Sequence, residues 1–201
     1  MARPDGRRGA VHVRPLRLAS SSPQRRAILE QLRIPFTVTE PDYVEHDAPD
    51  VDPAVLVCAH AEGKARSVHR EDTVTLGVDT TVQLDGRVYG KAEDAAGATA
   101  MLRDLGGRTH AVLSGLCLLG PGFAVLEHEV TKVTFRSFTD SELEAYVASG
   151  EWEGRAGAYA VQGLGGRLVE RIEGDYLNVV GLPGALLVTL LERLRPELLR
   201  I

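Results

Sequence analysis

Two long apolar-rich runs, AVLSGLCLL (111–119) and FAVLEHEVTKVTF (123–135), stand on either side of Gly120-Pro121-Gly122. Glycine and proline together interrupt a continuous element and favour a turn, so the runs predict a long antiparallel strand pair. Around that pair, short apolar runs alternate with helical stretches, which predicts an α/β domain.

The flanking elements follow from local signals. Residues 15–19 and 36–40 (FTVTE) read as strands, with a helix over 23–33 between them, begun by Pro23 and capped by Ser21 or Ser22. A polar loop, PDYVEHDAPD, leads to Asp52-Pro53, a cap and first turn for a helix reaching about residue 69. VTLGVD (74–79) is a buried-type strand, and Asp85-Gly86 predicts a hairpin between TTVQL and RVYGK. Residues 94–105 are helical up to Gly106-Gly107. Thr139 with Glu142 forms a capping box, and Phe138 with Leu143 a hydrophobic staple, for a helix to about 148. GLPGALLVTLLERLRPELL reads as a loop and an amphipathic helix whose leucines suit a core or a homodimer interface equally, as do the long central strands.

Composition removes several classes of function. With 44% hydrophobic residues in 201, the chain can bury a normal core, and a net charge of −5 argues against general nucleic-acid binding, so anion recognition should be local. No apolar run is long enough to span a membrane. Cys58 and Cys117 are too far apart for a CxxC motif and read as buried thiols in a reducing compartment. Residues 1–14 are polar and basic with no apolar signal core after Arg7-Arg8, which predicts a flexible tail on a cytoplasmic domain spanning 15–201.

The segment LASSSPQRR (18–26) carries a local conflict. Arg25 and Arg26 stand at the positive end of a helix, which disfavours a cation by about 0.3–1 kcal/mol. An anion docked on the same turn reverses that sign, because free N–H groups, serine hydroxyls and guanidinium forks make a phosphate site. The alternative is that both side chains point into water. Asp79 ends an apolar strand, where ligands of α/β sheets gather, and is either a metal ligand or base, or a turn cap. If Asp85-Gly86 is the turn, 84 pairs with 87 and 80 with 91, so simple alternation sets Lys91 on the Thr80 face, opposite Asp79. A bulge at Gly90, or a strand ending at 79, would bring Lys91 and Asp79 together. Lys64 near a helix end suits the dipole, Glu45 is by default a solvated acid, and Gln162 is a turn residue or a reader of a base edge. Gly163-Leu-Gly-Gly166 lacks GxGxxG spacing and reads as a turn between strands. HxxxH, HExxH, GxxxxGK[ST] and GxSxG are all absent.

In order, LASSSPQRRAIL, Lys64-Ala65, VDTTVQLDGRVYGK (78–91), LGGRTHAVLSG (105–115), AGAYAVQGLGG (156–166) and GDYLNVVGLP (174–183) resemble the Maf family of nucleoside triphosphate pyrophosphatases over residues 16–194. The resemblance implies a mixed α/β fold with a deep cleft, related to the inosine-triphosphate pyrophosphatase type. It implies hydrolysis between the α- and β-phosphates, with a divalent ion, magnesium or else manganese. By position, Asp79 matches the catalytic aspartate, Lys64 and Lys91 the phosphate-facing lysines, Arg25 the arginine of the SPxR segment, and Ser20 a phosphate-facing loop residue. Glu45 matches an acidic position that helps Asp79 hold the metal. Arg26 falls at a variable position.

Three positions bear on the base. The dTTP/UTP subgroup carries Arg, Thr and Gln, and the 7-methyl-GTP subgroup Trp, Gln and Glu; here they are Gln24, Thr80 and Gln162. Two match the pyrimidine type. Gln24 matches neither, leaves CTP or modified pyrimidine nucleotides open, and has an alternative role as a helix cap with Ser21. Ala92 replaces the usual proline and Arg155 the usual lysine. The expected protein is a dTTP/UTP pyrophosphatase. Its rivals are a pyrophosphatase of 7-methyl-GTP or a modified purine nucleotide, and a nucleotide-binding regulator of septum formation.

Overall fold

The computed structural model describes residues 14–46 and 51–200. The predicted tail therefore lies outside the described residues except for Arg14, which pairs with Asp72. The elements are β1 (Leu16–Ala19), α1 (Pro23–Gln31), β2 (Phe36–Thr39), α2 (Pro53–Val68), β3 (Thr75–Leu84), β4 (Arg87–Tyr89), α3 (Ala95–Leu105), β5 (Thr109–Gly120), β6 (Phe123–Phe135), α4 (Asp140–Ala148), β7 (Val169–Glu173), α5 (Tyr176–Val180) and α6 (Gly184–Leu194). Short 3-10 turns at Leu164–Leu168 and Pro196–Leu199 complete the chain. Ser22, Asp52, Asp94 and Thr139 cap α1 to α4, the last with the full capping box.

Seven strands form one mixed sheet in the order β2-β1-β3-β5-β6-β7, with β4 on β3. The predicted long hairpin is β5–β6, paired from Gly120↔Phe123 to Thr109↔Thr134. β3 has β5 along one edge from Thr75 to Gln83. Its other edge is divided: β1 pairs in parallel with Thr75–Gly77, β4 antiparallel with Val82–Leu84. Between them, residues 78–81 have no strand partner on that side. Such a split in a sheet opens a crevice at the strand ends.

Period-two alternation sorts the two faces of β3. Leu76 and Val78 join one core with α1, α6 and β1, whereas Val82 and Leu84 join a second with α3, α4 and β6. Thr80, on the same face, falls between the two cores. The opposite face receives α2, whose Ala61 and Ala65 pack with Cys117 and Leu119. α2 approaches so closely because β3 and β5 offer it glycines: a Cβ on Gly77 would lie 2.0 Å from the Ala61 carbonyl oxygen, and one on Gly115 2.2 Å from that of Val57.

Several expectations change. β4 ends at Tyr89, so the 80–91 pairing does not form; Lys91 instead bridges Ala156, and Gly157 N–H donates to the carbonyls of Tyr89 and Gly90. β3 runs on to Leu84, so it does not end at Asp79. Gly163–Gly166 enters a 3-10 turn feeding β7 rather than linking two strands. The last helix stops at Leu194 because Pro196 cannot continue it, and its Leu187, Leu190 and Leu191 are buried within this chain. Cys117 is buried, but Cys58 is only half-buried.

Gly77→Ala should destabilise the protein by about 1–3 kcal/mol or more in denaturant unfolding, since the obstructing atoms are backbone. Gly90→Ala, with nothing within 4 Å of a Cβ, should change stability by less than about 0.5 kcal/mol. Equal effects of the two would show that close helix–sheet contact is not limiting.

Candidate active site

The split in the sheet opens into a cleft of about 370 Å³, within the range of small-molecule sites. Its first wall is the β1–α1 loop. Ser22 caps α1 through Arg25 N–H, and Ser20 Oγ accepts from Ser22 N–H. The Arg25 side chain turns back over this loop: Nε donates to the Gly181 carbonyl at 2.9 Å, Nη1 to Ser20 Oγ at 3.2 Å and Nη2 to Thr80 Oγ1 at 3.3 Å. Gly181 caps α5 at φ 131°, a conformation suited to glycine. Thr80 Oγ1 also meets Ser114 Oγ at 2.9 Å across the β3–β5 register. Burial lowers the Arg25 pKa from its ordinary value, against the opposing pull of Asp79 and Glu45. Arg26 is exposed.

The second wall comes from α2. Lys64 is buried and sits not at the helix end but within it, its Nζ 2.5 Å from both Asp79 Oδ1 and Glu45 Oε1. Asp79 lies behind this ammonium with its side chain 14% exposed, and Glu45 on the open side at 46%. Glu45 is thus paired rather than merely solvated. The loop carrying it is fastened to α2 by Tyr43, whose ring covers Gly63 and whose hydroxyl meets His60 Nδ1 at 3.0 Å. Burial pushes the Glu45 carboxyl up, but Lys64, with Lys91 and His60 beyond it, outweighs burial and holds it below its ordinary value. Burial, Glu45 and Asp79 together raise the Tyr43 phenol.

The third wall is the stretch from Gly154 to Gln162, joined to Lys91 by the Ala156 bridge. Lys91 and Arg155 both line the cleft. Because residues 78–81 lack a strand partner on this side, groups from both faces of β3 meet here. Asp79 and Thr80 thereby serve one cleft despite alternation, with neither a bulge at Gly90 nor a shortened β3. Gln162 is exposed, and its loop is held by Glu151, whose Oε2 accepts from Leu164 N–H at 2.7 Å and Gly165 N–H at 3.4 Å. Gln24 Oε1 accepts from Ser22 Oγ at 3.0 Å, so the capping partner is Ser22 and not Ser21. Gln24 and Gln162 also border a more apolar pocket of about 340 Å³ with Ile28, Tyr176, Leu177 and Val180.

All eight sequence-predicted positions other than Asp79 line the cleft directly, and Asp79 joins them through Lys64. Tyr43, Ser114, Glu151 and Gly181 were not foreseen. Ser114 left one signal, a polar residue inside an apolar strand run. The others act through contacts distant in sequence. Chemically, Arg25, Lys64, Lys91 and Arg155 surround two carboxylates, an arrangement for a polyanion with an acid–base group beside it.

A family model described as Maf-like protein matches residues 15–194. The chain is 45% identical over 187 residues to the dTTP/UTP pyrophosphatase of Nitratidesulfovibrio vulgaris, covering 89% of this chain and 87% of that protein. It is 46% identical over 170 residues to the dTTP/UTP pyrophosphatase of Moorella thermoacetica, covering 83% and 88% respectively. The protein of that name from Pyrococcus furiosus is 40% identical over 179 residues, 87% of this chain and 93% of its own length.

The Glu45 pKa sets a pH window. Since it is lower folded than unfolded, the Glu45–Lys64 pair contributes its full stability above the ordinary carboxylate range and loses it as pH falls through the folded value. Lys64→Met should leave burial as the main influence and move Glu45 above its ordinary value in a carboxyl NMR titration. A Glu45 pKa unmoved by the substitution would show that Lys64 is not its controlling partner.

Proposed function

The chain belongs to the Maf family, and from that premise we propose that its cleft hydrolyses dTTP and UTP to the nucleoside monophosphate and pyrophosphate. The observation that carries this reading is Lys64 held between Asp79 and Glu45 at the split in the sheet, with Arg25 and Lys91 across the same cleft. In this reading Ser20, Arg25, Lys64 and Lys91 hold the triphosphate, spreading the charge that moves onto the leaving group. Asp79 orients a water and takes its proton. The water oxygen bonds to the α-phosphorus, the bond from that phosphorus to the α–β bridging oxygen breaks, and the bridging oxygen departs with the bond's electron pair as part of pyrophosphate.

Glu45 and Asp79 are the residues that would hold a divalent ion. Their carboxylates converge on one point, Lys64 Nζ, and among the described residues no group of three or more His, Cys, Asp or Glu is placed for a metal. Two carboxylates completed by water and phosphate oxygens suit magnesium, with manganese as a substitute. Such an ion supplies further charge neutralisation at the phosphates. Gln24 and Gln162, at the border of the apolar pocket, are the base-facing pair, and Thr80 acts through Arg25 and Ser114. The nucleotide pool of the cytoplasm is the setting this reading implies; among the described residues no helix is long and apolar enough to cross a membrane.

Pyrophosphate release should be measured with magnesium from dTTP, UTP, CTP, 7-methyl-GTP and the common triphosphates. Release chiefly from dTTP and UTP, with the monophosphate as co-product, is expected. Preference for 7-methyl-GTP would overturn the substrate, and absence of release with any divalent ion would overturn the activity in favour of a nucleotide-binding regulator. Asp79→Asn should lower turnover by about 10²–10⁴-fold in a protein that still folds; near-normal turnover would remove Asp79 from the chemistry.

Gln162→Glu should change the relative rates across bases more than the rate on the best substrate. Unchanged ratios in the same panel would remove Gln162 from base recognition.

A further inference from the structure

The cations lining the cleft differ in what already occupies them. Lys64 is held by two carboxylates, and Arg25 spends its guanidinium on Gly181, Ser20 and Thr80. Arg155 is different. It has a buried Nε without a hydrogen-bond partner, and among the described residues its side chain makes no ion pair. A half-buried guanidinium facing a cleft with its buried Nε–H unpaired is a costly arrangement, because that desolvated N–H forfeits its bond to water. A ligand that supplies acceptor oxygens removes that cost.

The backbone holds Arg155 where such a ligand would lie. Its N–H donates to the Trp152 carbonyl and its own carbonyl accepts from Ala158 N–H, so the residue sits in a fixed turn. The next residue, Ala156, bridges Lys91, and Gly157 N–H bonds to the carbonyls of Tyr89 and Gly90. Lys91 is exposed and makes no ion pair among the described residues. The two cations with donors to spare thus belong to backbone segments bridged to each other, and both line the cleft that also holds Lys64 and Glu45.

Resting on the pyrophosphatase reading, we propose that Arg155 is a phosphate-binding residue that, with Lys91, grips the leaving pyrophosphate rather than the nucleoside monophosphate. A planar fork of N–H donors matches the paired oxygens of a diphosphate.

The test measures inhibition of triphosphate hydrolysis by pyrophosphate and by dTMP, and direct calorimetric binding of pyrophosphate, in the wild type, Arg155→Gln and Arg155→Lys. Arg155→Gln should weaken pyrophosphate by about tenfold or more, leave dTMP within about twofold, and keep the wild-type melting temperature. Arg155→Lys should recover part of the loss by keeping the charge. Unchanged pyrophosphate affinity in a folded Gln variant overturns the proposal, as does an equal loss for dTMP. A loss of affinity matched by a fall in melting temperature in both variants assigns Arg155 a structural role and also overturns it. Calorimetric binding needs no turnover, so a wild type that binds pyrophosphate but hydrolyses no triphosphate sinks the proposed activity without touching this assignment.

Discussion

The close contact of α2 with the sheet governs the rest of the molecule. Helix and sheet ordinarily stand apart by the thickness of their side chains, but Gly77 and Gly115 remove that layer. Lys64, on the fourth turn of α2, is therefore near enough to reach Asp79 on β3 and Glu45 beyond it. The same proximity places Gly63 under Tyr43, which fastens the loop carrying Glu45. Two glycines thus decide whether the carboxylates meet over one ammonium or lie apart.

A second constraint is the divided edge of β3. A strand with full neighbours on both sides presents its two faces to separate compartments. Here β1 and β4 share one edge and leave 78–81 without a strand partner, so the faces communicate through the gap. Thr80 lies where two hydrophobic cores meet and carries a polar seam of Ser114, Arg25 and the Gly181 carbonyl. Asp79, one residue away, faces α2. The cleft draws acid–base and cationic groups from opposite sides of a single strand.

Much of the fold was legible because its signals are local. Gly120-Pro121-Gly122 between two apolar runs specified the β5–β6 hairpin, Asp85-Gly86 the β3–β4 turn, and Ser22, Asp52 and Thr139 the starts of three helices. The α/β class and the family resemblance agree with the mixed sheet and with the match over residues 15–194. Where local signals were extended by counting, they failed. The register outward from Asp85-Gly86 assumed β4 would stay beside β3 as far as Lys91, but the pairing stops at Tyr89↔Val82, the carbonyls of Tyr89 and Gly90 accept from Gly157 N–H, and Lys91 passes to Ala156. Glu151 holds the Gln162 loop from 13 residues upstream, and no periodicity records such a contact.

By itself, the sequence determined which residues had the chemistry for a polyanion site and which local elements carried them, because caps, turns and alternation act over a few neighbouring residues. It also held the conflict at Arg25, a cation at a positive helix end. Tertiary structure alone decided how that conflict is resolved in this molecule: the guanidinium leaves the helix end for Gly181, Ser20 and Thr80. It alone decided that Lys64 would bridge Glu45 and Asp79, and that Arg155 would face the cleft without a partner. These outcomes depend on the spacing between α2 and the sheet and on the edge that β1 and β4 leave open, distances fixed by packing between segments far apart in the chain.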